Sequence, residues 1–238
     1  MSIRASLCHA LAVLALVLCA AAAARADDVS VAGYTNGCFN ANVTGGCDPM
    51  LPNDPPNTNM PQTASLVGLQ YVNSTFSGTT SGGFLGFGGN PIAPPTQNVD
   101  NLGAFSLANS LANYNNNTFT LRVTFTVPTG INGGGSSLFT AMLTGSVSST
   151  GNGGVLIDFN NTPQLFTFSF ANPNGTTTIG SFFFAVNDLA INPGHVAEIT
   201  GQITAGAQTT TPEPTTMLLL GTGLAGVAGA VRRRRKAA

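Results

Sequence analysis

From residue 118 to residue 127 the chain alternates without a break. Phe119, Leu121, Val123, Phe125 and Val127 are apolar, and Thr118, Thr120, Arg122, Thr124 and Thr126 are polar. Successive side chains of a strand point to opposite faces, so this period of two predicts a strand with one buried side, ended by Pro128. Val155, Ile157 and Phe159 repeat the pattern, as do Phe166, Phe168 and Phe170, and Ala197, Ile199, Gly201 and Ile203 predict the last strand. The unbroken run Phe182-Phe183-Phe184-Ala185-Val186 predicts a strand buried on both faces. Residues 138–147 and 65–76 fit strands less cleanly, and residues 103–114 fit one helical turn or a strand equally well.

Turn chemistry separates these runs. Asn132-Gly133-Gly134-Gly135, Gly151-Asn152-Gly153-Gly154, Asn172-Pro173-Asn174-Gly175 and Asn192-Pro193-Gly194 favour positive φ or a fixed turn. The Pro- and Asn-rich stretch Asp48 to Pro61 and the Gly- and Pro-rich stretch Ser81 to Pro95 read as loops. No long amphipathic helix interrupts the series. Short strands at close intervals predict an all-β domain over residues 27–210, an antiparallel β-sandwich or jelly-roll-like fold.

The two ends follow another pattern. Residues 1–26 combine Arg4, the apolar stretch Leu7 to Ala24 and the small-x-small sequence Ala24-Arg25-Ala26, which predicts a signal helix cleaved before Asp27. An uncleaved anchor is the alternative. Cys19 follows Leu18, where a lipoprotein signal wants a small residue. At the other end, Pro212-Glu213-Pro214 precedes an apolar run of fifteen residues, Met217 to Val231, and then Arg232, Arg233, Arg234, Arg235 and Lys236. As a helix the run measures roughly 22 Å, short of a hydrocarbon core of about 30 Å. Snorkelling arginines and local thinning close that gap. The basic cluster then acts as a stop-transfer signal on the cytoplasmic side, which puts the β-domain outside. Gly221-Thr222-Gly223-Leu224-Ala225-Gly226 matches a dinucleotide-binding pattern only by accident, because no strand-to-helix unit surrounds it.

Tripeptide, span and basic cluster within residues 211–238 resemble the PEP-CTERM sorting domain. The resemblance implies recognition of Pro212, Glu213 and Pro214 by an exosortase, a membrane-embedded cysteine transpeptidase, with cutting near the tripeptide and transfer to the cell surface or the exopolysaccharide matrix. An ordinary anchor that stays in place is the alternative, and it too puts the domain outside the cytoplasm.

Charge sharpens this picture. The whole chain carries a formal −1, but the β-domain holds eight acids and one base, Arg122, so the mature domain sits near −7. A surface of that sign argues against nucleic-acid binding. Within the β-domain, candidates for chemistry are few. Cys38 and Cys47, with eight residues between them, predict a disulfide in an exported protein. His195 follows Pro193-Gly194 and reads as a turn residue. Asp158 and Asp188 flank strands, where a glycosidase would need two carboxylates facing one cleft. Asp48, Asp54 and Asp100 are acids a calcium ion would accept, without an EF-hand spacing. We therefore expect no catalytic residues, cofactor or metal. The reading is an exported structural or interaction protein of the cell surface or matrix, linked to exopolysaccharide or biofilm. Its alternatives are a carbohydrate-binding module, with Tyr34, Tyr71 or Tyr114 lining a groove, and then a hydrolase.

Overall fold

The computed structural model describes residues 28–41, 63–173, 175–206 and 209–211. The expected signal helix with its Ala24–Ala26 cleavage site, the loop that holds Cys47, Asp48 and Asp54, and the tail from Pro212 through the expected span to Lys236 lie outside them. The described chain is all-β. In order, the strands are β1 (Ser30–Phe39), β2 (Thr63–Leu66), β3 (Leu69–Val72), β4 (Ser74–Thr79), β5 (Phe84–Phe87), β6 (Asn98–Val99), β7 (Ala104–Leu107), β8 (Ala112–Asn113) and β9 (Asn117–Val127). They continue with β10 (Ser136–Val147), β11 (Gly153–Phe159), β12 (Gln164–Ala171), β13 (Thr177–Val186), β14 (Leu189–Ile191), β15 (Val196–Glu198), β16 (Gly201–Ala205) and β17 (Thr209–Thr211).

Three sheets result. The largest, eight-stranded, runs β14-β11-β10-β9-β1-β4-β6, with β8 on β10. A five-stranded sheet runs β12-β13-β16-β5, with β17 on β13, and a four-stranded sheet runs β15-β7-β3-β2. All pairings are antiparallel except β4–β6. The two smaller sheets lie across the inner face of the large one, and β9 touches both. At one end of β9, Phe119 meets Phe105 and Tyr71 of the four-stranded sheet at 4.8 and 4.9 Å between ring centroids. At the other, Phe125 meets Phe166 and Phe182 of the five-stranded sheet at 4.9 and 5.0 Å. Edge-on and tilted rings at these spacings contribute about 0.5–1.5 kcal/mol per pair beyond the area they bury.

The alternating segment 118–127 forms β9 as expected, with Phe119, Leu121, Val123 and Phe125 buried and Val127 exposed beside Pro128. The strand β1 beside it was not anticipated. Its sequence, SVAGYTNGCF, contains two glycines and an asparagine, which weaken any periodic signal. The glycines are needed for close packing. A Cβ on Gly37 would stand 2.4 Å from the rings of Phe119 and Tyr71, and one on Gly33 would stand 2.1 Å from the Thr124 carbonyl oxygen. Gly33 also marks the register shift against β9.

Three expectations need correction. Phe183 is exposed (42 %), whereas Phe182 and Phe184 are fully buried, so β13 alternates and is not buried on both faces. Residues 197–203 form two strands, not one. β15 pairs with β7 and β16 with β13, and the buried Ile199 lies where the chain passes between sheets. The stretch 81–95 contains β5, which closes one side of the five-stranded sheet. Residues 103–114 resolve as β7 and β8, and 65–76 as a hairpin turning at Val67-Gly68 followed by β4. The glycine-rich turns adopt positive φ as expected at Gly133, Gly151, Gly175 and Gly194.

Candidate functional site

The tail leaves the domain from within a sheet. In β17 the backbone of Thr211 is in register with Thr177, Thr210 with Thr178 and Thr209 with Ile179. β16 pairs with the far end of the same strand, where Val186 faces Gly201 and Phe182 faces Ala205. β16 and β17 thus lie along one side of β13, so the chain stays in the sheet until the residue before Pro212. Thr178 also lines a cavity of about 380 Å³ with Asp28, Val127, Pro128, Phe168 and Phe170. Asp28, the first described residue, and Thr178, the register partner of Thr210 in β17, thus lie at one end of the five-stranded sheet.

The outer face of that sheet is unusual in chemistry. Leu165, Phe183, Thr204 and Phe84 stand in one cross-strand row. Leu165, Phe183 and Phe84 are exposed at 56, 42 and 53 %. Ile179, also exposed, lies in the row that ends at Thr209. A depression of about 360 Å³ is lined by Pro163, Phe183, Ala185, Gln202 and Thr204. No ionisable side chain lies on the outward positions of β5, β12, β13 or β16.

Of the described residues singled out for chemistry, Asp188 makes side-chain hydrogen bonds that tie the fold, and Asp158 and His195 are exposed. Asp188 accepts a hydrogen bond from the Phe159 amide through Oδ1 (2.8 Å) and from Asn161 Nδ2 through Oδ2 (2.9 Å), tying two loops together. Asp158 is exposed on β11, in register with Met142. His195 is exposed in the turn after β14; its amide donates to the Asn192 carbonyl (3.2 Å) and its carbonyl accepts from the Leu107 amide (3.1 Å). Asp100 adopts φ 61° and is held by its backbone: its amide donates to Thr75 O and its carbonyl accepts from the Gly88 amide. Glu198, not anticipated, accepts the Gly89 amide. Among the described residues no three His, Cys, Asp or Glu side chains converge as metal ligands.

Of the three tyrosines on which the carbohydrate-binding alternative would draw, two lie inside the core. Tyr71 and Tyr114 are fully buried, and Tyr34 is half-buried. Tyr71 OH shares a hydrogen bond with Thr35 Oγ1 (3.0 Å), and Thr35 Oγ1 accepts the Ser74 amide (3.0 Å), a satisfied polar group inside the core. Tyr114 donates to the Val67 carbonyl (2.7 Å), and burial raises its phenol pKa. Cys38 is buried, although it shares the outer side of β1 with Asn36, which is also buried.

Comparison with known proteins adds one finding. The PEP-CTERM protein-sorting motif matches residues 210–235. Its first two residues are the last two of β17, so motif and sheet are continuous. Such a motif marks an exported protein that an exosortase sorts through a transient membrane anchor. No curated protein and no solved structure matches the chain. No helix among the described residues is long and apolar enough to cross a membrane.

Proposed function

We propose, with the PEP-CTERM motif as premise, that this chain is a non-catalytic β-domain delivered to the cell surface or extracellular matrix, with a structural or interaction role among exopolysaccharide. The observation that carries the reading is the motif at 210–235, which begins inside the last strand of a folded sheet. Pro212, Glu213 and Pro214 are the recognition tripeptide. Met217 to Val231 is the transient span, and Arg232 to Lys236 are its cytoplasmic stop. The hydrogen bonds that the Asp188 and Glu198 carboxylates accept from backbone amides, and the exposed turn position of His195, support a non-catalytic role.

A disulfide between Cys38 and Cys47 belongs to the same reading. The burial of Cys38 at the end of β1 supports it, because an exported protein keeps such a pair oxidised. The functional test is deletion of residues 212–238. Expression in the native host should then leave the domain in the periplasm or medium, absent from the surface fraction. Unchanged surface delivery would contradict the sorting reading.

A further inference from the structure

The outer face of the five-stranded sheet has two properties that belong together. It is apolar in rows, with Leu165, Phe183 and Phe84 in one and Ile179 in another, and it bears no ionisable side chain. Singly exposed apolar residues need no explanation, but a rowed, uncharged patch on one face does. The same sheet also holds the start of the sorting motif, because β17 is one of its strands.

The geometry points to this face as a membrane-resting surface: while the tail is anchored, the domain lies with Phe84, Leu165, Ile179 and Phe183 against the bilayer interface. The inference rests on the proposed span at Met217 to Val231. Chain length then fixes how far the sheet can stand off. Five residues, and so six steps along the chain, separate Thr211 from Met217, and an extended step reaches at most about 3.3–3.6 Å, so β17 stays within about 20 Å of the span's entry. Along β13, Ile179 lies two residues and Phe183 six residues from Thr177, the partner of Thr211. At about 3.4 Å per residue, the apolar rows lie about 7 and 20 Å from the tail's exit. A sheet lying flat on the bilayer brings both rows to the lipid within that tether.

Charge selects the same orientation. The mature domain is strongly acidic, and none of the described acids, Asp28, Asp100, Asp158, Asp188 and Glu198, lies on a strand of this sheet; Asp28 borders the cavity beside the inward-facing Phe168 and Thr178. An anionic bilayer repels those surfaces and leaves the uncharged sheet as the approach of least cost. Four partly buried apolar side chains bind lipid weakly by themselves. The tether makes the contact intramolecular, so a weak affinity suffices. When the tail is cut, that advantage is lost and the domain leaves the membrane.

The test uses the full chain reconstituted in vesicles of phosphatidylethanolamine and phosphatidylglycerol. Nitroxide labels are placed at Leu165→Cys on this face and at Met142→Cys on the outer face of the eight-stranded sheet. Flotation of the vesicles reports the anchor, and collision with oxygen against a soluble nickel chelate reports the face. The expected result is a severalfold higher oxygen-to-nickel ratio at 165 than at 142. Adding Phe84→Asp and Phe183→Asp should bring the label at 165 back to the ratio at 142 while the chain still floats. Equal ratios at the two positions in the floating chain would overturn the inference and leave the anchor intact. Label–label broadening at 165 that persists in detergent would also overturn it, in favour of a second copy on this face. A chain that fails to float contradicts the span and, with it, the resting face.

Discussion

The outer faces of the two larger sheets both carry exposed apolar side chains, but they differ in what lies between them. On the eight-stranded sheet Leu138, Met142 and Leu156 are exposed. Leu138 is in register with Arg122 and Met142 with Asp158, and Asn36, Cys38 and Thr120 on that side are buried. On the five-stranded sheet Phe84, Leu165, Ile179 and Phe183 share the outward positions of β5, β12, β13 and β16 with only Thr, Ser, Gln, Gly and Ala. A charge within a row keeps water at the surface, whereas a row of hydroxyls and rings holds it weakly. The difference teaches that total hydrophobicity does not identify an interaction face here. The absence of charge on one sheet, together with the tail that leaves from it, does.

The two sides of the five-stranded sheet give the sharpest contrast. Phe184 is buried against Phe139 at 5.3 Å and Phe125 at 5.4 Å, whereas its sequence neighbour Phe183 points outward. Phe184→Ala should cost about 3–5 kcal/mol, and Phe183→Ser should change stability by no more than about 0.5 kcal/mol. Urea denaturation of both variants reads the difference; similar losses would mean that Phe183 is not a surface residue.

The remaining expectations concern the eight-stranded sheet and become progressively smaller. Reducing the proposed Cys38–Cys47 bond should lower stability by roughly 2–3 kcal/mol for so short a loop, measured as a shift in urea midpoint with and without reductant. Gly37→Ala forces a methyl into the Phe119 and Tyr71 rings and should cost about 1–3 kcal/mol, with a matching fall in thermal midpoint. The smallest effect is that of pH. Burial raises the Tyr114 pKa above its ordinary value of 10.0. The folded state therefore holds the phenol proton more tightly than the unfolded chain does. Its contribution is complete below about pH 10 and is lost as the pH rises through the folded pKa. Tyr114→Phe should flatten the alkaline limb of a stability–pH profile.

Much of this architecture was legible because burial on one face leaves a period-two trace. β9, β11 and β12 carried that trace, and the glycine turns between them fixed where strands end. β1 did not, because its inner face is built from Gly33, Thr35 and Gly37, which fit beneath the rings of Phe76, Tyr71 and Phe119. The apolar signal lies on the partners that fill the space these residues leave. The change of sheet at Ile199 was hidden for the opposite reason, since a period of two runs unbroken from Ala197 to Ile203 while the backbone passes from β15 to β16. The sorting signal was readable because it is linear: tripeptide, apolar run and basic cluster follow each other along the chain and need no fold to bring them together. The uncharged outer face was not, because Phe84, Leu165 and Phe183 meet only through strand pairing.

The central claim is that a folded β-domain is exported and then released from a C-terminal anchor at its sorting motif. The most direct test is the intact mass of the protein isolated from the envelope and extracellular fractions of its native host. The expected species begins at Asp27 and ends close to Pro212–Pro214, with or without a mass added at the new C-terminus. A species that retains every residue to Ala238 in the surface fraction would contradict sorting by cleavage.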